Sequence, residues 1–196
     1  MSLEAWNEAR VSDVQIITRQ INTDTASLTS NIEVSASAPS RAIVVVNNLT
    51  DHTVAARKEI NLASGTNRIP IDFAVPHPQL WWPNGLGAHP LYTFQAQVII
   101  NGRSIDQKST RIGLRTLELR QQPDGNGKSF AFVINGVPVF AKGANWIPAD
   151  SFPTRITKAK YRQLVGSARD ANMNMLRVWG GGIFQCHLHA RTDHRA

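Results

Sequence analysis

Over residues 11 to 120 apolar and polar side chains alternate in short runs. Ala26, Leu28, Ser30, Ile32, Val34 and Ala36 share one parity, and Thr29, Asn31, Glu33 and Ser35 share the other. That is the period of a β-strand with one buried and one wet face. Ile69, Ile71, Phe73 and Val75 repeat it, as do Tyr92, Phe94, Ala96, Val98 and Ile100, while Ile43 to Val46 form a short β-branched run. Asn101-Gly102 closes the last alternating stretch, and Asn-Gly suits the positive φ angles of a tight hairpin turn. A further strand is expected near Arg111 to Leu119. Short strands separated by turns, with no helical period, predict an antiparallel β-sandwich over residues 11–120.

Beyond residue 120 the pattern changes. Pro123 to Gly127 reads as a loop, and Phe130–Ile134 and Val137–Ala141 flank Asn135-Gly136 as a second hairpin. Tyr161, Leu164, Val165 and Ala168 then fall at i, i+3, i+4 and i+7, the stripe of an amphipathic helix. Thr157 can cap its start, and Asn172 lies near its end. Met175 to Trp179 reads as a buried strand, closed by Gly180-Gly181-Gly182. Strand, loop, helix, strand predicts one β/α unit of a parallel architecture.

Composition narrows the function classes. The chain has 196 residues, enough for one ordinary domain plus part of another. Its net charge is +7, but the cations are scattered from Arg10 to Arg195 with no basic run. They read as a solvated surface, and a nucleic-acid partner is not expected. The first ten residues lack the apolar core of a secretory leader, and no apolar stretch approaches a membrane span of roughly 18 residues. The expectation is a cytoplasmic location with no membrane partner. The lone cysteine, Cys186, demands no oxidising compartment. Cys186, His187, His189 and His194 match no standard zinc spacing, so no metal is expected, and no cofactor motif is present. The sequon Asn48-Leu49-Thr50 reads as chance.

Three places concentrate candidate chemistry. Trp81-Trp82-Pro83-Asn84-Gly85 could stack indoles on a sugar or lock them into packing, and packing is the favoured reading. Lys142-Gly143-Ala144-Asn145-Trp146-Ile147-Pro148-Ala149-Asp150 is expected as a loop following an apolar strand. Its carboxylate, amide and indole suit a sugar equally with a capped, packed loop. Arg177 and Trp179 share a parity on the second parallel strand, and a buried arginine there would need a carboxylate partner. It could serve function or structure.

The stretches Leu80 to Gly87, Lys142 to Asp150 and Asn172 to Gly182 together resemble the β-mannosidase branch of glycoside hydrolase family 2, over residues 2 to about 184. The resemblance implies an immunoglobulin-like sandwich at 11–120 and the N-terminal part of a (β/α)₈ TIM barrel at 121–182. It also implies that residues 1–10 are the junction from a missing jelly-roll domain. Residues 183–196 depart from the family pattern and are expected to be a non-family tail. The implied activity is that of a retaining exo-glycosidase releasing terminal β-mannose, with a β-mannoside oligosaccharide as the full-length enzyme's partner. Both catalytic glutamates would lie on later barrel strands, so no catalytic residue is expected here and the isolated chain is expected to be inactive. Trp146 and Asp150 resemble residues lining the mannose pocket. Arg177 resembles the arginine that orients the nucleophile, and Trp179 would shape the pocket floor. The rival expectation is a non-catalytic carbohydrate-binding or interaction module acting through Trp81 and Trp82.

Overall fold

The alternating stretches become strands with the expected parity. In a computed structural model, which describes residues 5–180, the chain folds as two units. The first holds the described residues up to Trp81 together with His89–Leu117, and the second holds Trp82–Ala88 and the described residues from Glu118 onward. The expected tail, the histidine cluster around Cys186 and Ser2 to Glu4 of the expected junction lie outside the described residues.

The first unit is a two-sheet antiparallel sandwich. Its strands are β1 (Ala9–Ile21), β2 (Thr25–Ala36), β3 (Ser40–Asn48), β4 (Thr53–Leu62), β5 (Gly65–Pro76), β6 (Tyr92–Ile100) and β7 (Arg103–Ile112). One sheet has the order β1-β2-β5 and the other β4-β3-β6-β7. The chain therefore changes sheet after β2, β4 and β5, and the two inner faces bury one another. Leu28, Ile32 and Val34 of β2, Val44 and Val46 of β3, and Phe94, Ala96 and Val98 of β6 are each at most 1% exposed. Each large side chain among them contributes about 1.5–3 kcal/mol of burial. Phe73 of one sheet meets Phe94 of the other edge-on, with ring centroids 5.1 Å apart. Asn101 and Gly102, at φ 51° and 74°, turn β6 into β7.

Two strands were not individually legible. In β1 the pairing register shifts between Val11 and Asp13 and again between Thr18 and Gln20. Each bulge flips the parity of the residues after it, so no single alternation survives. β4 is an edge strand whose Arg57, Lys58 and Glu59 are exposed, the charged character that blunts sheet edges. The strand expected over Arg111 to Leu119 is divided. β7 ends at Ile112, and β8 (Leu117–Arg120) starts after a break. At the break a Cβ on Gly113 would lie 2.5 Å from Trp81 Cγ. Leu114, fully buried, accepts the Trp81 N–H through its carbonyl at 2.8 Å.

From Glu118 of β8 onward the chain is in the second unit, where the two-residue strands β9 (Pro123–Asp124) and β10 (Gly127–Lys128) come first. The expected hairpin comes next as β11 (Ala131–Ile134) and β12 (Val137–Val139), in a sheet ordered β12-β11-β8. Then come β13 (Gly143–Trp146), a short 3₁₀ turn (Pro153–Arg155), α1 (Lys158–Asp170) and β14 (Met175–Val178). β13 and β14 pair in parallel, Gly143 opposite Met175 and Trp146 opposite Val178. This is the expected strand–helix–strand unit, with two corrections. Gly143 to Trp146 is itself the first parallel strand, not part of a loop. And β14 is not buried: Met175 and Leu176 are half-buried, Arg177 and Val178 exposed. A short apolar run shows strand propensity, but whether neighbours cover it is a tertiary property.

Among the described residues no helix is long and apolar enough to cross a membrane.

Candidate functional site

The parallel pair places three of the four candidate residues together. Its close approach requires a glycine, since a Cβ at Gly143 would fall 1.9 Å from the Met175 carbonyl oxygen. Asn174 sets the register at the entry. Its Oδ1 accepts the Lys142 N–H at 2.8 Å, its Nδ2 donates to the Phe140 carbonyl at 3.0 Å, and its own N–H donates to the Lys142 carbonyl at 2.8 Å. At the exit the Trp179 N–H donates to the Trp146 carbonyl at 2.9 Å.

Between these ends Arg177 stands opposite Asn145, and its Nη1 donates to Asn145 Oδ1 at 3.1 Å. Arg177 is exposed, so the carboxylate partner that a buried guanidinium would need is not required. The amide takes one of the guanidinium's five donors. Trp179 is 48% exposed and shares the Arg177 parity, so a cation and an indole flank the same strand end.

Trp146 differs from Trp179. It is 9% exposed and stacks on Tyr161 of α1, with centroids 6.2 Å apart and planes at 23°. Its indole nitrogen is buried and has no hydrogen-bond partner among the described residues. Tyr161, the first residue of the helical stripe, thus covers Trp146 at the end of β13. Asp150, half-buried, lies four residues past that strand, and its Oδ1 accepts the Phe152 N–H at 2.7 Å. This Asx-type turn leads into the 3₁₀ segment. Its carboxylate serves the loop's own backbone.

The Trp81-Trp82 motif packs. The Arg115 guanidinium lies 4.6 Å from the Trp81 ring centroid, and Gly113 sits against the same ring. In the second unit Trp82 lies against Gly87, where a Cβ would come within 2.9 Å of its ring. Asn48 of the sequon is 2% exposed and its Nδ2 donates to Asp51 at 2.8 Å, so the folded chain does not present it. No metal-binding cluster occurs among the described residues. Sequence reading missed the ordering roles of Asn174 and Tyr161. The available signals were a second polar residue in Asn172-Met173-Asn174 and the first position of the helical stripe.

The profile of glycosyl hydrolases family 2 matches residues 9–115, more than half of the chain. The chain belongs to glycosyl hydrolases family 2. Among relatives of this family member, a β-mannosidase B from Emericella nidulans is 44% identical over 128 residues, 65% of this chain and 15% of that protein. A β-mannosidase from Capra hircus is 40% identical over 149 residues, 74% of this chain and 17% of its own length. The chain thus spans under a fifth of these curated relatives. A β-D-mannosidase structure from Dictyoglomus thermophilum superposes over 95% of this chain and 23% of its own, with a TM-score of 0.85 and 35% identity. An exo-chitosanase from Amycolatopsis orientalis, at 19% identity and a TM-score of 0.77, shows the shared fold alone.

Proposed function

We propose that this chain is the segment of a retaining β-mannosidase that joins an immunoglobulin-like sandwich, residues 11–120, to the first elements of a (β/α)₈ barrel, residues 121–182. One observation carries the reading. The β13–α1–β14 unit holds Asn145, Arg177 and Trp179 at and beside the C-terminal ends of parallel strands, the end where barrel enzymes build their active sites. The names of the relatives supply the sugar.

In this reading Arg177, steadied by Asn145, orients the nucleophilic carboxylate of the complete enzyme. Trp179 offers an apolar ring to the pocket floor. Asp150 reaches a mannose hydroxyl from its loop, and Trp146 contributes to the same pocket edge while packing on Tyr161. The substrate partner is a β-mannoside oligosaccharide. Retaining hydrolysis needs two carboxyl groups about 5–5.5 Å apart, and among the described residues Asp150 alone stands on a loop beside the parallel pair. The nucleophile and the acid/base therefore come from other strands of the barrel. The rival reading, a binding module working through Trp81 and Trp82, is disfavoured because both rings are half-buried, Trp81 against Arg115 and Gly113 and Trp82 against Gly87.

The test is substrate discrimination by the full-length enzyme carrying this segment. It should cleave an aryl β-D-mannoside at least roughly a hundredfold faster, by kcat/KM, than the matching galactoside or glucuronide, a difference of about 2.7 kcal/mol. Comparable rates on the three would reject the assignment. The 196-residue chain alone should turn over none of them.

A further inference from the structure

Residues 82–88 lie in sequence between two sandwich strands, yet they belong to the second unit. Within that unit Asn84 makes two hydrogen bonds far along the chain. Its Nδ2 donates to the Arg169 carbonyl at 3.1 Å and to the Met173 carbonyl at 3.1 Å. These carbonyls bracket the exit from α1. The Met173 N–H returns to the Ala168 carbonyl at 3.0 Å and the Asn172 N–H to the Arg169 carbonyl at 2.8 Å, with Asn172 at φ 55°. That is a Schellman motif with asparagine in place of the usual glycine. Such a turn satisfies the helix's last carbonyls but leaves the direction of the departing chain free to rotate about the next peptides. A primary amide has two N–H donors. Here both are directed at acceptors, one inside the motif and one just beyond it, which fixes that direction.

The element that departs is β14. The residue after Met173 is Asn174, which keys the strand to Lys142, and Arg177 comes three residues later opposite Asn145. We propose that Asn84 is a positioning residue for Arg177: it clamps the α1 exit so that β14 enters the parallel pair in the register that sets the guanidinium beside Asn145. The functional half of this inference rests on the role given to Arg177 above.

Asn84→Asp keeps the shape but replaces the donor with an acceptor facing two carbonyls. In the 196-residue chain, hydrogen exchange resolved by mass spectrometry should show the amides of Asn174, Met175 and Trp179 exchanging at least tenfold faster, with β2, β5 and β6 unchanged. Asn84→Ser, which retains one donor, should fall between. Unchanged exchange at 174–179, or equal acceleration in the sandwich, overturns the proposal. In the full-length enzyme, Asn84→Asp should lower kcat tenfold or more with KM within about threefold, and should add nothing in an Arg177→Ala background. Additive losses overturn the positioning role, since independent sites add. A wild-type full-length enzyme inactive on β-mannosides removes the functional reading and the kinetic half with it, while the exchange result still decides whether Asn84 holds β14.

Discussion

Gly143 and Ser30 show how one atom can decide a local structure. At Gly143 the parallel strands approach so closely that a methyl group would overlap the Met175 carbonyl oxygen. The obstacle is backbone and cannot rotate away. Gly143→Ala should separate β13 from β14 and abolish exchange protection at Met175 and Trp179, leaving the sandwich amides protected. Ser30 is the opposite case. It is fully buried on the inner face of β2 between Leu28 and Ile32, and its hydroxyl has no hydrogen-bond partner among the described residues. Burying an unpaired hydroxyl costs about 1–3 kcal/mol. Ser30→Ala should therefore raise the sandwich's stability by up to about 2 kcal/mol in urea unfolding, and a loss of stability would show that the hydroxyl is satisfied. Asp150 belongs at this scale too. In the full-length enzyme Asp150→Ala should lower kcat/KM on an aryl β-mannoside, since a hydrogen bond to a charged group contributes about 1.5–3 kcal/mol, roughly 10- to 150-fold. An unchanged kcat/KM would confine Asp150 to its loop turn.

At the scale of elements, α1 ties the candidate site together. Its stripe supplies Tyr161 to cover Trp146, and its exit launches β14. Thr157 caps its start at φ −83° and ψ 159°, with its hydroxyl accepting the Lys160 N–H at 3.2 Å. Thr157→Ala should cost about 1 kcal/mol of helix stability. It should be read as faster exchange within 158–162, without change in the sandwich. This helix was legible in the sequence, cap included, because an amphipathic period and a capping residue are local signals. β13 was not. Gly143-Ala144-Asn145-Trp146 has no apolar alternation, and glycine and asparagine are poor strand formers. It is a strand because Met175 to Val178 pair with it from a distant part of the chain.

For the whole molecule, the two units differ in how well they bury their apolar surface. The sandwich has a continuous core drawn from both sheets. In the second unit Phe140 is 82% exposed, Phe130 66%, Ile147 61% and Phe152 58%. Parallel strands are normally covered on both faces, and exposed apolar side chains of this size invite association. Limited proteolysis should leave a resistant core ending near residue 120, and binding of a hydrophobic dye should fall when the chain is shortened to that point. Equal protease resistance beyond 120, or unchanged dye binding, would show that the second unit closes a core of its own.

The sequence by itself determined the sandwich parity, the hairpin at Asn101-Gly102, the second hairpin at Asn135-Gly136, the helix with its cap, and the family resemblance carried by three motifs. The structural elements among these depend on neighbours within a few residues, where side-chain period and backbone φ preference act directly. Only the tertiary structure decided the rest. It showed that Gly143 begins a strand, that Arg177 is exposed and answers to an amide, that Trp146 is covered by Tyr161 while Trp179 is open, and that Asn84 reaches across the chain to the end of α1. These are matters of contact and cover between residues far apart in sequence. Which polar group meets which is fixed by the register and closure of packed elements, and no local pattern of apolar and polar residues encodes that.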